Sequence, residues 1–496
     1  MTTPNGTSPI KHRDTQLGPI GPVIGGRTIT TGQVEEVFDP YDGSLVAVVN
    51  LAGPAEIEAS IATAVAAFDE TRRMPAWQRS DCLEKVSAGI AARREELALV
   101  IAREAGKPLK TARVEVDRAA FTFKVAAEET RRIYGEIVPL DWLPGTEGRT
   151  ALVRREPRGP VSGITPFNFP LNLVSHKVAP SMAAGNPIVI KPSNQTPVSA
   201  YRLAEIVLEA GWPAGGIAVV PCDVRHAAPL VEDERIKFLT FTGSPQVGWS
   251  LKAKAGMKPV TLELGGNAGT IIHKDADIAY AAERVTWGGF SYAGQSCISV
   301  QRVYIHSAVY DEFIEALLPK VMALRSGDPL AEATDVGPII NAVQAARIGD
   351  WLREAMDAGA QVLAGGKREG NVWEPTVLAS VNEEMRVSCQ EVFGPVISLY
   401  RYDDVQQAMA AVDRSDYGLQ AGLFTNDWGL IEDAYNQISV GGLIVNDVSA
   451  FRVDHMPYGG VRQSGIGREG VRYAIEEMTE MKLLMLHRPP SAVAAR

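Results

Sequence analysis

Between Ala55 and about Arg132 apolar residues recur at helical spacing, first in PAEIEASIATAVAAFDETRR and then in WQRSDCLEKVSAGIAARREELALVIAREAG. That period predicts amphipathic helices, the second closed by Gly106 as a C-cap. A third helix is expected from about Thr111 and carries Arg118. Near Gly135 the pattern changes: residues from about Glu136 to Pro157 alternate in short strands broken by PGTEG, which reads as a protruding hairpin. From Gly159 to about Leu264 the runs VSGITPF, NPIVIKPS, GIAVVP, IKFLTFTGS and VTLELGG alternate with helical stretches. Such alternation predicts a parallel sheet with crossover helices. A second alternating block runs from about Asn267 to Val445, and EMKLLMLH after Met478 reads as a last strand. Residues 1 to about 20 are polar and rich in Pro and Gly, the composition of a loosely held tail.

The chain has 496 residues, too many for one hydrophobic core, so two large domains with smaller appendages are expected. A net charge of −10 argues against nucleic acid or a polybasic membrane contact as partner. The four cysteines, Cys82, Cys222, Cys297 and Cys389, are too scattered for a disulfide framework. No CxxC or HExxH spacing occurs, so no metal site is expected. The N-terminus has no apolar h-region and no apolar run reaches membrane-spanning length, which makes a reducing cytoplasm the expected location.

Candidate chemistry centres on WGGFSYAGQSCISVQR, where Cys297 follows a run of small residues and precedes a strand. Access, nearby N–H donors and a fixed position are what a nucleophilic thiol needs, although a buried structural cysteine beside a Gly-rich turn fits the same letters. Glu263 closes the strand of ELGG, where α/β sheets build their sites, and suits a general base; strand-end acids are also often merely solvated. Asn168, wedged between aromatics in TPFNFPLN, suits an oxyanion donor or a loop tie. Lys191 in IVIKPSNQTP ends a strand and suits a ribose or phosphate, while FTGSPQVG places Ser244 at a helix N-cap, an anion-binding position. GIGREG at Gly465–Gly470 fits GxGxxG, but no strand leads in and too little chain follows, so a turn opening a helix is expected there.

In order along the chain, TPFNFP, GNPIVIKPS, FTGSPQVG, LELGG, GQSC, EVFGPV and PYGGVRQSGIGRE resemble the aldehyde dehydrogenase superfamily, over about residues 35 to 485. The resemblance implies oxidation of an aldehyde to an acid with NAD or NADP. Cys297 is similar to the family nucleophile, which forms a thiohemiacetal and then a thioester. Asn168 and the Cys297 N–H resemble its oxyanion hole, Glu263 its general base, and Lys177 and Glu469 its proton relay. Cofactor contacts are implied for Ile164, Thr165, Pro166, Phe167, Lys191, Ser193, Asn194, Thr242, Gly243, Ser244, Gly248, Leu264, Gly265, Glu391 and Phe393. The implied fold is α/β: a Rossmann-like cofactor domain (20–134 and 155–264), an α/β catalytic domain (265–446), a return segment (447–477) and a small β oligomerisation flap (135–154 and 478–496). A homodimer or homotetramer follows from that flap, since exposed strand edges seek partners.

Two departures from the family pattern matter. Asn194 stands where NAD-specific relatives often carry a glutamate, and the next cofactor loop reads PCDVRHAAPL. Dual or NADP-leaning use is therefore expected, with Arg225 or His226 as phosphate partners. Positions resembling the substrate pocket hold Arg118, Phe169, Asn172, Leu173, His176, Ser296, Ile298 and Arg452. Their polarity points to a small polar aldehyde, and the arginines admit an anionic one. The opposing reading pairs Arg118 and Arg452 with acids such as Asp117 or Asp454. A CoA-acylating dehydrogenase and a thiol hydrolase are the rival activities; Glu263 counts against the first and the nucleotide motifs against the second.

Overall fold

The computed structural model describes residues 17–488. Val260–Glu263, Phe238–Thr242, Val161–Ile164, Ile188–Lys191 and Ile217–Val219 lie side by side in that order and pair in parallel. Both faces of these strands are covered, which explains their continuous apolar runs. The chain lays Val161–Ile164, Ile188–Lys191 and Ile217–Val219 outward in one direction, then returns to place Phe238–Thr242 and Val260–Glu263 on the other side. Strand order thus reverses between Val161–Ile164 and Phe238–Thr242. The crevice beyond the carboxyl ends of two such strands is where open α/β sheets bind ligands.

Short antiparallel strands complete this eight-stranded sheet, Val23–Ile24 and Arg27–Thr28 at one edge and Gly465–Ile466 at the other. Gly465–Ile466 corrects the expected turn in GIGREG: it covers the open backbone edge of Val260–Glu263, and the helix begins only at Val471. A second, seven-stranded sheet holds Ala268–Ile272 beside Val300–His306, so the chain after Glu263 passes directly from one sheet to the other.

Helices Pro54–Thr71, Ala76–Ala92, Arg94–Ala105 and Leu109–Thr130 precede the parallel strands of both sheets. The run expected as one helix through residue 105 is two, broken at Arg93 with φ −104° and ψ 23°. Glu95 and Glu96 then sit in the first turn of the new helix, where the dipole favours acids, so the letters RREE mark a stop and a start. Gly106 caps that helix in the left-handed conformation.

Arg149–Pro157 pairs antiparallel with Glu136–Pro139 and, over its whole length, with Thr479–His487. Ile137, Met481 and Leu483 are exposed on these strands. Of the expected N-terminal tail, Pro19–Ile20 pairs with Val48–Val49, and residues 1–16 lie outside the described residues, as do 489–496 of the expected flap. Among the described residues no helix is long and apolar enough to cross a membrane, and no group of three or more His, Cys, Asp or Glu could hold a metal ion.

Candidate active site

Cys297 owes its position to a bend that few sequences could make. After helix Ile278–Phe290, Tyr292, Ala293 and Gly294 take φ of 49°, 53° and 67°. Left-handed non-glycine residues cost about 1–3 kcal/mol each, so the surroundings must hold them. Tyr292 does so by donating its hydroxyl to Ala105 O at 2.9 Å. Gln295 accepts from Ile340 N at 2.9 Å and donates to Pro338 O at 3.2 Å. A Cβ on Gly294 would lie 2.1 Å from Gly394 O, and one on Gly266 would lie 2.1 Å from Cys297 O. Both glycines let backbone approach backbone, and the second brings the end of ELGG under the thiol.

Cys297 opens onto a cavity of about 490 Å³ shared with Asn168, Glu263 and Glu469. Asn168 donates Nδ2 to Gln295 O at 2.9 Å, which fixes the amide beside the loop that carries Cys297. Cys297 Sγ stands 3.1 Å from the Tyr458 hydroxyl. Burial pushes the Cys297 thiol up to about 12, with the Tyr458 hydrogen bond opposing the rise. Both Glu263 oxygens are buried without a hydrogen-bond partner. Burial, then the negative charge of Glu469, holds the Glu263 carboxyl well above its ordinary range.

Charged groups cluster against the same cavity. Asp454 accepts from Arg118 Nη2 and Nε at 2.8 and 3.1 Å, from Asn172 Nδ2 at 3.1 Å, and pairs with His176 Nε2 at 2.9 Å. Lys177 Nζ donates to Thr242 Oγ1, Thr240 Oγ1 and Glu469 Oε1 at 2.8, 3.0 and 3.1 Å. Arg452 donates to Glu469 Oε2 at 3.1 Å and lies 3.6 Å over the Tyr458 ring. Burial opposes ionisation of Glu469, but Lys177 and Arg452 outweigh it and bring the carboxyl down to about 2. Asp454 is likewise held below its usual range against burial, by His176 and Arg118. Helix Asn172–Ala184 is anchored here by Glu115, whose Oε1 accepts from Leu171 N at 3.0 Å and Asn172 N at 3.1 Å. Lys107, paired with Glu115, lies 3.6 Å from the centre of the Phe169 ring.

Arg118, Phe169, Asn172, Leu173, Ser296, Ile298 and Arg452 line the cavity, as do Pro166, Phe167, Thr242, Gly243, Ser244, Leu264, Gly265, Glu391 and Phe393. His176 and Lys177 are buried behind it through the contacts above, and Ile164, Thr165, Lys191, Ser193, Asn194 and Gly248 stand outside the lining. Arg225, expected to meet a phosphate, is exposed outside the cavity lining and bidentate to Asp223 (Nη2–Oδ2 2.6 Å). His226 is also outside the lining. Asp117 pairs with Arg94, leaving Asp454 as the acid on Arg118. Sequence reasoning missed Tyr458, Gln344, Arg347 and Trp351, which also line the cavity. Tyr458 could have been found, since it lies inside PYGG; no local signal marks the other three.

The residues present fit a nicotinamide dinucleotide. Helix Pro245–Lys254 begins at the crevice with Ser244 as N-cap, its hydroxyl unused for capping, which suits the pyrophosphate. Thr165 Oγ1 is buried with no partner, beside Lys191 O, which accepts from Thr165 N at 3.1 Å. Glu391 Oε1 accepts from Gly266 N at 2.9 Å, and burial raises its carboxyl to about 7.

A thiol and a buried carboxyl lining one cavity, with a crevice at the strand-order reversal that suits a dinucleotide, fit an oxidoreductase. The chain belongs to the aldehyde dehydrogenase family, whose model matches residues 29–484, and it is accordingly an NAD- or NADP-dependent enzyme. It is 45% identical over 474 residues to a 3-sulfolactaldehyde dehydrogenase of Priestia aryabhattai, covering 95% of this chain and 99% of the relative. The crystal structure of aldehyde dehydrogenase 21 from Physcomitrella patens, in complex with the reaction product succinate, is 42% identical with a TM-score of 0.93, over 97% of this chain and 100% of that one. The glyceraldehyde-3-phosphate dehydrogenase GapN of Methanocaldococcus jannaschii DSM 2661, complexed with NADP, is 37% identical with a TM-score of 0.89, over 92% of this chain and 100% of that one. The α/β fold expected from the motifs is the fold of these structures.

Proposed function

We propose that this enzyme oxidises a small anionic aldehyde to its carboxylic acid, with Cys297 as nucleophile and Arg118 and Arg452 holding the anionic end. The observation that carries the reading is that both guanidinium groups line the cavity into which Cys297 opens. Asp454 occupies Arg118 Nε and Nη2, and Arg452 Nε is buried with no partner, so each arginine keeps donors for a ligand. Planar forks of this kind suit carboxylate, sulfonate or phosphonate. The names of the relatives point the same way: sulfolactaldehyde is a sulfonate, and succinate carries a second carboxylate.

Cys297 ionises, adds to the aldehyde carbon and forms a thiohemiacetal whose oxyanion is met by Asn168 Nδ2 and the Cys297 N–H. The Tyr458 hydroxyl donates to the thiolate and offsets part of the burial that disfavours it. Thr165, Lys191, Ser244, Glu391 and Phe393 would hold the dinucleotide. Its nicotinamide, when bound, supplies the hydride acceptor that turns the thiohemiacetal into a thioester. Glu263, once deprotonated, takes a proton from the water that hydrolyses that thioester. Lys177 and Arg452, by keeping Glu469 ionised, set the charge around Glu263 and couple it to proton exit. The two large sheets serve as cofactor and catalytic domains. The three-stranded sheet, with its exposed Ile137, Met481 and Leu483, serves as the flap of a homo-oligomer, and the cytoplasm suits the free thiol.

The test is reduced-cofactor formation with succinate semialdehyde, sulfoacetaldehyde, 3-sulfolactaldehyde, glycolaldehyde, hexanal and benzaldehyde, for wild type and Cys297→Ala. The anionic aldehydes should lead in kcat/KM by about tenfold or more, and the variant should be inactive on all. A lead for hexanal or benzaldehyde would discard the arginine pocket and keep the thiol chemistry.

A further inference from the structure

Asn194, three residues after Lys191, is an amide where the family resemblance leads one to expect an acid in NAD-specific enzymes, yet a carboxylate still reaches it. Glu35 lies on strand Val34–Phe38, opposite Val49 of Leu45–Asn50, and is exposed toward Asn194. Asn194 Nδ2 donates to Glu35 Oε2 at 2.9 Å, across 159 residues of chain. The other end of the same amide, Oδ1, accepts from Lys191 Nζ at 3.4 Å. Lys191, Asn194 and Glu35 therefore form one hydrogen-bonded row at the carboxyl end of strand Ile188–Lys191. We propose that Glu35, held by Asn194 beside Lys191, replaces the missing acid and makes the enzyme prefer NAD over NADP.

The charge balance supports this. Asp223 and Arg225 form an exposed pair and together add no net positive charge near Lys191. Burial lowers the Lys191 ammonium, and the charges of Cys222, Glu35 and Asp223 oppose that. A ribose 2′-hydroxyl can donate to the Glu35 carboxylate, whereas a 2′-phosphate would meet it as a like charge. Asn194 is the positioning residue in this row: its amide satisfies Lys191 and Glu35 at once, and an acid at 194 would set two carboxylates side by side. Because Glu35 is exposed, the discrimination should weaken as salt rises.

The inference rests on Lys191 as the residue that holds the adenosine ribose. The experiment uses the full chain, as wild type, Glu35→Gln, Glu35→Ala and Lys191→Ala. Dissociation constants for 5′-AMP and 2′,5′-ADP are measured by calorimetry, alongside kcat/KM with NAD and NADP. Wild type should bind 5′-AMP more tightly than 2′,5′-ADP, and both Glu35 variants should shift that ratio toward 2′,5′-ADP by about tenfold, with the same direction in kcat/KM. An unchanged ratio in both Glu35 variants, while Lys191→Ala weakens both ligands, overturns the role of Glu35 alone. If Lys191→Ala leaves both ligands unaffected, the ribose assignment fails and the proposal falls with it.

Discussion

The two flanks of the reaction cavity meet the same low-dielectric interior in opposite ways. Around the thiol, burial prevails: Cys297 is pushed up to about 12 and Glu263 well above its ordinary range. Around Asp454 and Glu469, pairing prevails: both carboxylates sit below their usual ranges because Arg118, His176, Lys177 and Arg452 surround them. Depth alone does not decide between these outcomes, since Glu263 and Glu469 are each only 2% exposed. What decides is whether a cation lies within hydrogen-bond reach. Burial thereby disfavours charge on Cys297 and Glu263, while pairing favours the charged forms of Asp454 and Glu469.

The contrast can be broken at its strongest point by Cys297→Ala, which should lower kcat/KM by at least about 10⁴-fold while nucleotide binding persists in calorimetry. Glu263→Gln separates the two half-reactions. Steady-state turnover should fall by about 10²–10⁴-fold. A burst of reduced cofactor and an acyl adduct on Cys297, seen by mass spectrometry, should remain. A missing burst would place Glu263 before hydride loss. In wild type the hydrolytic step should quicken with rising pH, because Glu263 must lose its proton before it can take one from water.

On the paired flank, Arg118→Leu should cost about 10²-fold in kcat/KM with succinate semialdehyde and much less with glycolaldehyde. Equal losses on both aldehydes would mean that Arg118 serves only as the counter-ion of Asp454. The smallest effect is expected for Tyr458→Phe. Alkylation of Cys297 by iodoacetamide should rise with pH in both proteins, since the thiolate is the reactive form. The variant's profile should be displaced upward, so that its rate at a fixed pH below about 12 falls by roughly three- to tenfold. A superimposed profile would remove Tyr458 from the chemistry.

Local sequence carried the strand ends and the loops that follow them, which is why Cys297, Glu263 and Asn168 were identifiable and share one cavity. The hairpin and its closing strand were readable for the same reason: alternation and turn residues are short-range signals. Asp454 was harder, since its partner Arg118 lies 336 residues away and either of two acids would have satisfied the letters. Glu35 was invisible, because nothing within its own strand distinguishes it from Glu36. The break at Arg93 was written in the charges but hidden by apolar spacing that runs unbroken across it.

The close backbone approaches at Gly266 and Gly294 also bear on how such a protein can diversify. Any single-codon change at either position puts an atom 2.1 Å from a carbonyl oxygen, so those routes of inheritance are closed. The frame that presents the sulfur is therefore hard to alter by a single substitution at either glycine. New specificities must be found among side chains such as Arg118, Phe169 and Arg452, which line the cavity without shaping the main chain beneath the thiol.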